Sequence, residues 1–298
     1  MKLADLLNKA SSLTGKTVAV AAAEDEEVIE AVAEALKRNL ARFLLFGNKE
    51  EIAELLLEKG IHSGDYVITQ ARSIEKASEL AVKAVHQKEA DVLMKGNVPT
   101  ATILKAVLHK EYGLRTGCML SHVAVFEVPG FDRFTIVTDA AMSITPDLQQ
   151  KQQIIENAVE IARSIGIETP KVAALAAVEV VNPAMQATLD AAALTQMNRR
   201  GQIKNCIVDG PLALDNAVSF EAAEHKGIQS EVAGQADILF VPSIEVGNVL
   251  YKSLIYFAKA KVGAVIAGAK APIVLTSRAD SSESKLYSLA LAICASEK

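Results

Sequence analysis

Tryptophan is absent from the 298 residues, and aromatic side chains supply only 4% of a chain that is half hydrophobic. A core without large rings must be filled by Ala, Val, Leu and Ile, the usual filling of buried parallel strands and closely packed helices. Cysteine is scarce as well. Cys118, Cys206 and Cys294 are far apart, odd in number and without a CxxC pair, which excludes a disulfide framework and offers no zinc spacing, so each reads as a structural reduced thiol. Positive charge is not in excess: 31 Lys and Arg stand against 36 Asp and Glu, the formal net charge is -5, and no stretch concentrates the basic residues. Nucleic acid is therefore not an expected partner. No charge-free apolar run reaches the roughly 20 residues that span a bilayer. The opening MKLADLLNKASS carries Asp5 within its apolar part and lacks a small-residue cleavage site. It reads as an amphipathic first helix rather than a signal peptide, and the expectation is a cytoplasmic protein.

Familiar catalytic signatures are missing too. There is no GxGxxG, and the run from Gly263 to Lys270 lacks the Gly-Lys-Ser/Thr ending of a phosphate loop and falls on a predicted strand, which disfavours nucleotide triphosphate hydrolysis. There is no GxSxG elbow, and the five histidines show no HExxH spacing, so a hydrolase triad or a zinc enzyme has little support. No internal repeat, low-complexity tract or Pro/Gly/Ser-rich linker interrupts the chain.

What is present is a strand-helix rhythm. Short apolar runs at Thr17 to Ala21, Phe43 to Phe46, Tyr66 to Ile68 and Val92 to Met94 alternate with helically periodic segments. In EDEEVIEAVAEALKRNL, Val28, Val32 and Leu36 fall near helical spacing, with acidic residues leading and Lys37 and Arg38 trailing, as the helix dipole favours. A helical crossover of this kind makes the strands parallel. From about residue 118 the pattern changes, because CMLSHVAVFEV and RFTIVTD are separated only by the turn-forming PGFD, which predicts an antiparallel pair and the entry into a second lobe. Further strands are expected at Val172 to Val178, Cys206 to Val208, Ile238 to Val241, Ala264 to Ala267 and Pro272 to Thr276, with the Asn182-Pro183 step opening a helix. The expected division is a first lobe of residues 1–117 plus 270–298 and a second of 118–269, two α/β/α lobes with a cleft.

Ligands of open α/β sheets bind at the carboxyl ends of the strands, so polar residues there are the candidates. Lys95-Gly96-Asn97-Val98-Pro99-Thr100 follows a strand, with Thr100 at a helix start; it suits a phosphate, or is an ordinary loop with a solvated lysine. Asp209-Gly210-Pro211-Leu212 puts a carboxylate at a strand end before a tight turn, either to orient a ligand or to bond its own turn. Asp139, after Val137-Thr138, has the same two readings. In PSIEVGNVLYKSL, Gly247 and Asn248 open an apolar helix and Lys252 lies on the same face as Asn248, which would line an anion site or be plain helix surface. The strongest local pattern is IVLTSRADSSESKL: Ser277 offers a hydroxyl, Arg278 a guanidinium suited to phosphate, and Asp280 or Glu283 a base. Its bland counterpart is an elaborate cap for the last helix. Arg115, in Gly113-Leu114-Arg115-Thr116-Gly117, is a second candidate phosphate ligand or a surface charge. His122, within an apolar strand, reads as a satisfied core imidazole or a functional one.

Taken together, the KG turn at Lys95, the DGPL turn at Asp209, the GNxxYK string at Gly247 to Lys252 and the SRAD loop at Ser277 resemble, in the same order, the phosphate acetyltransferase and phosphate butyryltransferase family. The ending SRADSSESKLYSLALA looks most like the butyryltransferase branch, whereas acetyltransferases typically carry an SRG-type sequence there. The resemblance implies a fold like the isocitrate and isopropylmalate dehydrogenases, dimers or larger oligomers, coenzyme A as substrate, no tightly bound cofactor and no metal, and direct transfer in a ternary complex. By the same carry-over Ser277 bonds the reacting thioester or acyl phosphate, Arg278 holds phosphate and Arg115 assists. The acetyltransferase relatives use an Asp downstream of the Ser-Arg pair as base; here Asp280 is the nearest match and Glu283 the second. The implied reaction is butyryl-CoA, or a similar short or branched acyl-CoA, with phosphate. Rival readings are a phosphate acetyltransferase, an NAD-dependent dehydrogenase on the same fold, for which the acidic metal cluster is lacking, and a non-catalytic acyl-CoA-binding protein.

Overall fold

The computed structural model describes residues 2–62, 64–276 and 280–297. Ser277, Arg278 and Ala279, the first two being the strongest sequence candidates, lie outside the described residues. Up to residue 118 the chain forms α1 (Leu3–Ser12), β1 (Thr17–Ala21), α2 (Glu26–Lys37), β2 (Arg42–Gly47), α3 (Lys49–Glu58), β3 (Tyr66–Gln70), α4 (Ile74–His86), β4 (Val92–Lys95) and α5 (Thr100–Val107). There follow β5 (Ser121–Glu127), β6 (Thr135–Thr138), α6 (Leu148–Ser164), β7 (Lys171–Leu175), α7 (Gln186–Arg199), β8 (Ile207–Leu212), α8 (Leu214–Val218), α9 (Phe220–His225), β9 (Ile238–Phe240) and α10 (Ile244–Tyr256). The chain closes with β10 (Lys261–Ala267), β11 (Ile273–Val274) and α11 (Ser282–Ala295). No helix among the described residues is long and apolar enough to cross a membrane.

Two compact units result, a terminal unit of Leu3–Cys118 with Val262–Lys298, and a middle unit of Met1–Lys2 with Met119–Lys261. In the terminal unit the strand order is β3-β2-β1-β4-β11-β10. All neighbours are parallel except β10, which runs against β11. Helix α2 shows why the crossovers are helical. Asp25 caps it by accepting from the Val28 amide at 3.0 Å, Glu26 and Glu27 occupy its positive end, Lys37 closes it, and Val28, Ile29 and Val32 are buried. Three buried alanines, Ala31, Ala33 and Ala35, allow close approach to neighbouring elements. The central strands are buried along nearly their whole length, as parallel strands covered on both faces must be, whereas edge strand β3 has no buried residue.

The middle unit orders its strands β5-β6-β9-β7-β8. The expected antiparallel pair is β5 with β6, in the register Val123↔Thr138 to Phe126↔Thr135, and the remaining neighbours are parallel. Three local expectations are corrected here. The Asp209-Gly210-Pro211-Leu212 segment is no turn after a strand but part of β8, with a cis Gly210-Pro211 peptide. A proline is tolerated there because β8 is the unit's outer strand and needs no amide donor on its open side. The Asn182-Pro183 step does not open a helix: Asn182 accepts from the Ala184 amide at 2.9 Å and exchanges bonds with the Thr188 hydroxyl, forming a turn ahead of α7. The Thr100 that could have capped α5 from its start does not: Pro99 holds the cap position without a side-chain bond, and Thr100 is the first, exposed, helical residue.

Candidate functional site

In the terminal unit the carboxyl ends of β1, β4 and β11 share one edge, because Ala21 lies opposite Lys95 and Val274 opposite Met94. Lys95, the last residue of β4, is 6% exposed, so the solvated-lysine reading fails. Its ammonium donates to the Gly96 carbonyl at 3.2 Å. Keeping an ammonium dry is costly unless a counter-charge or acceptors surround it, and Lys95 stands at the carboxyl edge, where ligands of open α/β sheets bind. Gly96 is required by its neighbour: a Cβ there would lie 2.1 Å from the Ala22 carbonyl oxygen and 2.7 Å from that of Ala21. The approach is sealed by amide bonds from Gly96 to Ala21 (2.8 Å) and from Asn97 to Ala22 (2.7 Å), with Ala22 in the left-handed region at φ 53°.

β11 ends at this edge two residues before Thr276, and the described chain resumes at Asp280. Asp280 is half-buried and its carbonyl accepts from the Lys285 ammonium, which also meets Glu27 of α2 at 2.5 Å. Lys285 is 3% exposed. Ser282 donates to Glu30 of α2 at 3.2 Å, and Ser281 caps α11 through the Ser284 amide. From Asp280 onward the described chain is thus tied to α2. Glu283 is exposed and accepts from the Tyr287 hydroxyl at 3.0 Å. Sequence reading missed Lys285, and no signal would have found it, since a lysine in a first helical turn ordinarily faces water.

Arg115 is not brought to this edge. Its loop is tied to the Lys270 amide through the Leu114 carbonyl, to the Gly268 carbonyl through the Thr116 hydroxyl at 2.5 Å, and to His86, at the end of α4, through the Gly113 carbonyl at 3.0 Å. Gly268 and Lys270 precede β11, and His86 precedes β4. Arg115 is therefore exposed at the amino edge of the strands whose carboxyl edge carries Lys95.

In the middle unit Asp139 leaves β6 at the carboxyl edge and is 3% exposed. One carboxylate oxygen accepts from the Ala141 and Met142 amides at 2.9 and 3.0 Å, the other from the Ser143 amide and hydroxyl at 3.1 and 2.7 Å. With four donors supplied by its own loop, this carboxylate shapes the loop. Helix α10 is built onto that loop. A Cβ at Gly247 would lie 2.5 Å from the Asp139 carbonyl oxygen, and the Asn248 amide donates to the Ala140 carbonyl at 3.4 Å. Tyr251 meets His122 and Phe126 edge-on, with centroids 5.6 and 5.3 Å away. The GNxxY part of the motif is accounted for by packing, while Lys252 is exposed. Asp209 is apart from these residues, inside β8 opposite Ala173, lining a cavity of about 460 Å³ with Asn198 and Arg199 of α7. A second ion pair that the sequence did not signal, Lys151 with Asp190 at 2.5 Å, joins the amino-terminal parts of α6 and α7. Among the described residues no three His, Cys, Asp or Glu side chains are placed to hold a metal ion.

Comparison with known proteins adds a family to this geometry. Residues 57–293 match the family described as phosphate acetyl/butaryl transferase. The chain is 62% identical, over all of its own length and 99% of the relative's, to a probable phosphate butyryltransferase of Bacillus subtilis (strain 168). It is 51% identical to the phosphate butyryltransferase of Clostridium beijerinckii, over 97% of this chain and 95% of that one. Among solved structures, a branched-chain phosphotransacylase from Enterococcus faecalis V583 superposes with a TM-score of 0.85 at 38% identity, covering 95% of this chain and 99% of the other.

Proposed function

We propose that this chain, which belongs to the phosphate acetyl/butyryltransferase family, catalyses acyl-CoA + phosphate = acyl phosphate + CoA, with butyryl-CoA or a similar short or branched acyl-CoA as its substrate. The finer fold reading goes with it: two α/β/α lobes of the isocitrate and isopropylmalate dehydrogenase kind, residues 1–117 plus 270–298 and residues 118–269. Coenzyme A enters as a substrate, no cofactor is tightly bound, and the enzyme works in the cytoplasm as a homo-oligomer.

The observation that carries the reading is the buried Lys95 at the carboxyl edge of the terminal unit's strands. Phosphate carries its charge on oxygens, and a buried ammonium at a strand's carboxyl end, in a chain that also carries the candidate Arg278, supports the reading of a site for that anion. In the forward direction a phosphate oxygen attacks the thioester carbonyl, the C–S bond breaks, and the thiolate of CoA leaves and takes a proton. In reverse a base removes that proton, which is needed because a thiol with a pKa of about 8.5 is mostly protonated at neutral pH. Arg278 stabilises the oxyanion that develops between the two and Ser277 bonds the acyl oxygen. Asp280, held by its carbonyl to Lys285, is the assigned base, and Glu283 the second choice. Lys95, Gly96 and Thr100 are assigned to the anion, and Asn248 and Lys252 to coenzyme A. Asp139 shapes the loop beneath Asn248 rather than binding ligand, and Asp209 and Arg115 sit apart from this set.

Thiol release from butyryl-CoA, followed with a disulfide reagent, is expected to depend on added phosphate. Equal rates with and without phosphate would make the protein a thioesterase and end this reading. Running acetyl-, butyryl-, isobutyryl- and isovaleryl-CoA at fixed phosphate decides between the butyryl and acetyl assignments.

A further inference from the structure

Asp209 of the DGPL motif is left without a task by the acyl transfer proposed above. It is the third residue of β8, and aspartate is among the residues that strands disfavour. The residue is half-buried. Where Asp139 collects four donors from its own loop, Asp209 collects none: among the described residues its side chain forms neither a hydrogen bond nor an ion pair. A carboxylate partly withdrawn from water without donors is a cost to the fold. Placed in a strand of otherwise uncharged residues, it asks for a ligand that brings the donors.

The cavity that Asp209 lines, of about 460 Å³, lies within the middle unit and is of a size that small ligands occupy. It also has a cation on its wall. Arg199, in the last turn of α7, lines it, yet among the described residues Arg199 forms no ion pair with Asp209 or with any other carboxylate. Two opposite charges that share one cavity without meeting leave room between them for a molecule that carries both. Glu231 adds a second carboxylate and Ser230 a hydroxyl. The Ser230 oxygen already accepts from the Val232 and Ala233 amides at 3.0 and 3.2 Å, so its O–H is the group left to donate. Asn198 is spent on the wall itself, donating to the Ile203 and Cys206 carbonyls and accepting from the Val208 amide, each at 3.0 Å.

We infer that this cavity binds a free α-amino acid, with its ammonium on Asp209 and Glu231 and its carboxylate on Arg199 and the Ser230 hydroxyl. A planar guanidinium matches a carboxylate, and a compact ammonium matches carboxylate oxygens. A simple anion, phosphate included, would meet two like charges, and a simple amine would leave the guanidinium unmatched. None of these residues belongs to the acyl-transfer set, so the site stands apart from that reading.

Isothermal titration calorimetry of the full chain with the common L-α-amino acids, in the absence of acyl-CoA, tests this independently of any activity. At least one is expected to bind. Its amine analogue lacking the carboxylate and its acid analogue lacking the ammonium should each bind about tenfold or more weakly, as the loss of one charge-assisted contact implies. Asp209→Asn and Arg199→Gln, neither of which removes a bond made within the chain, should each raise the Kd by a similar factor while circular dichroism stays native. Asp209→Asn should further weaken the amine but not the acid, and Arg199→Gln the acid but not the amine. Binding of none of the amino acids overturns the inference. An amine or acid that binds as tightly as the whole amino acid also overturns it, by making this a site for a cation or an anion alone. Binding that neither substitution weakens places the ligand elsewhere and refutes the assignment; should Asp209→Asn fail to fold, Arg199→Gln and the two analogues decide.

Discussion

Replacing Gly96 with alanine inserts one methyl group into the tightest backbone approach at the proposed anion edge. The new Cβ would stand 2.1 Å from the Ala22 carbonyl oxygen and 2.7 Å from that of Ala21, about 1.4 and 0.8 Å inside the separation of about 3.5 Å where dispersion attraction is optimal. Neither neighbour is a side chain that can swing aside; both are backbone, and Ala22 already sits at φ 53°. The two loops must therefore part. Parting stretches the Gly96 to Ala21 and Asn97 to Ala22 amide bonds, each worth about 1 kcal/mol net, and overpacking adds about 1 to 3 kcal/mol. The sum is roughly 3 to 5 kcal/mol, which for a cooperative unit of this size lowers Tm on the order of 10 °C. Because Lys95 is the adjacent residue, phosphate saturation should suffer as well, with KM for phosphate rising more than KM for the acyl-CoA. Thermal unfolding by circular dichroism and initial rates at varied phosphate read the two effects. A Gly96→Ala protein that melts within a degree of the parent and saturates normally would refute the argument that this approach is rigid and that it positions the lysine.

Other outcomes follow from the same geometry. Arg278→Ala should lower kcat by two to three orders of magnitude with the fold intact, since one charge-stabilising donor commonly contributes about 3 to 4 kcal/mol; Arg115→Ala, at the opposite edge, should cost much less, and equal losses would contradict the placement of Arg115. Asp139→Asn keeps the shape but turns an amide toward Ser143, leaving a buried N–H without its acceptor, so chemical denaturation should show about 1 to 3 kcal/mol lost. Burial pushes the thiols of Cys206 and Cys294 up to about 11, so at pH 8 a disulfide reagent should titrate exposed Cys118 rapidly and the other two only after unfolding. Three fast thiols in the native protein would show that the two are not shielded.

Strand and helix alternation was legible because period and capping are local. The spacing of Val28, Val32 and the charges at either end specify α2 whatever surrounds it, and PGFD between two apolar runs specifies the β5 and β6 hairpin. The order of the motifs carried the family. Readings failed where one dipeptide had to stand for a context. Gly210-Pro211 looks like a turn, yet it lies within a strand because the outer edge of β8 asks no donor of proline. Asn182-Pro183 looks like a helix start, yet the Thr188 hydroxyl ties it into a turn instead. At the site, the chain indicated which residue types suit an anion but not their surroundings: that Lys95 is buried, that Asp139 is occupied by its own loop, and that Arg115 lies at the far edge of its sheet.

The sequence by itself determined the classes of element, the excluded chemistries and the kinship, since hydrophobic period, cap residues and motif order are properties of neighbours along the chain. Only the tertiary structure decided which side chains share an edge and which are dry, because burial and strand register arise from residues brought together across tens to hundreds of positions, as Lys285 is with Glu27.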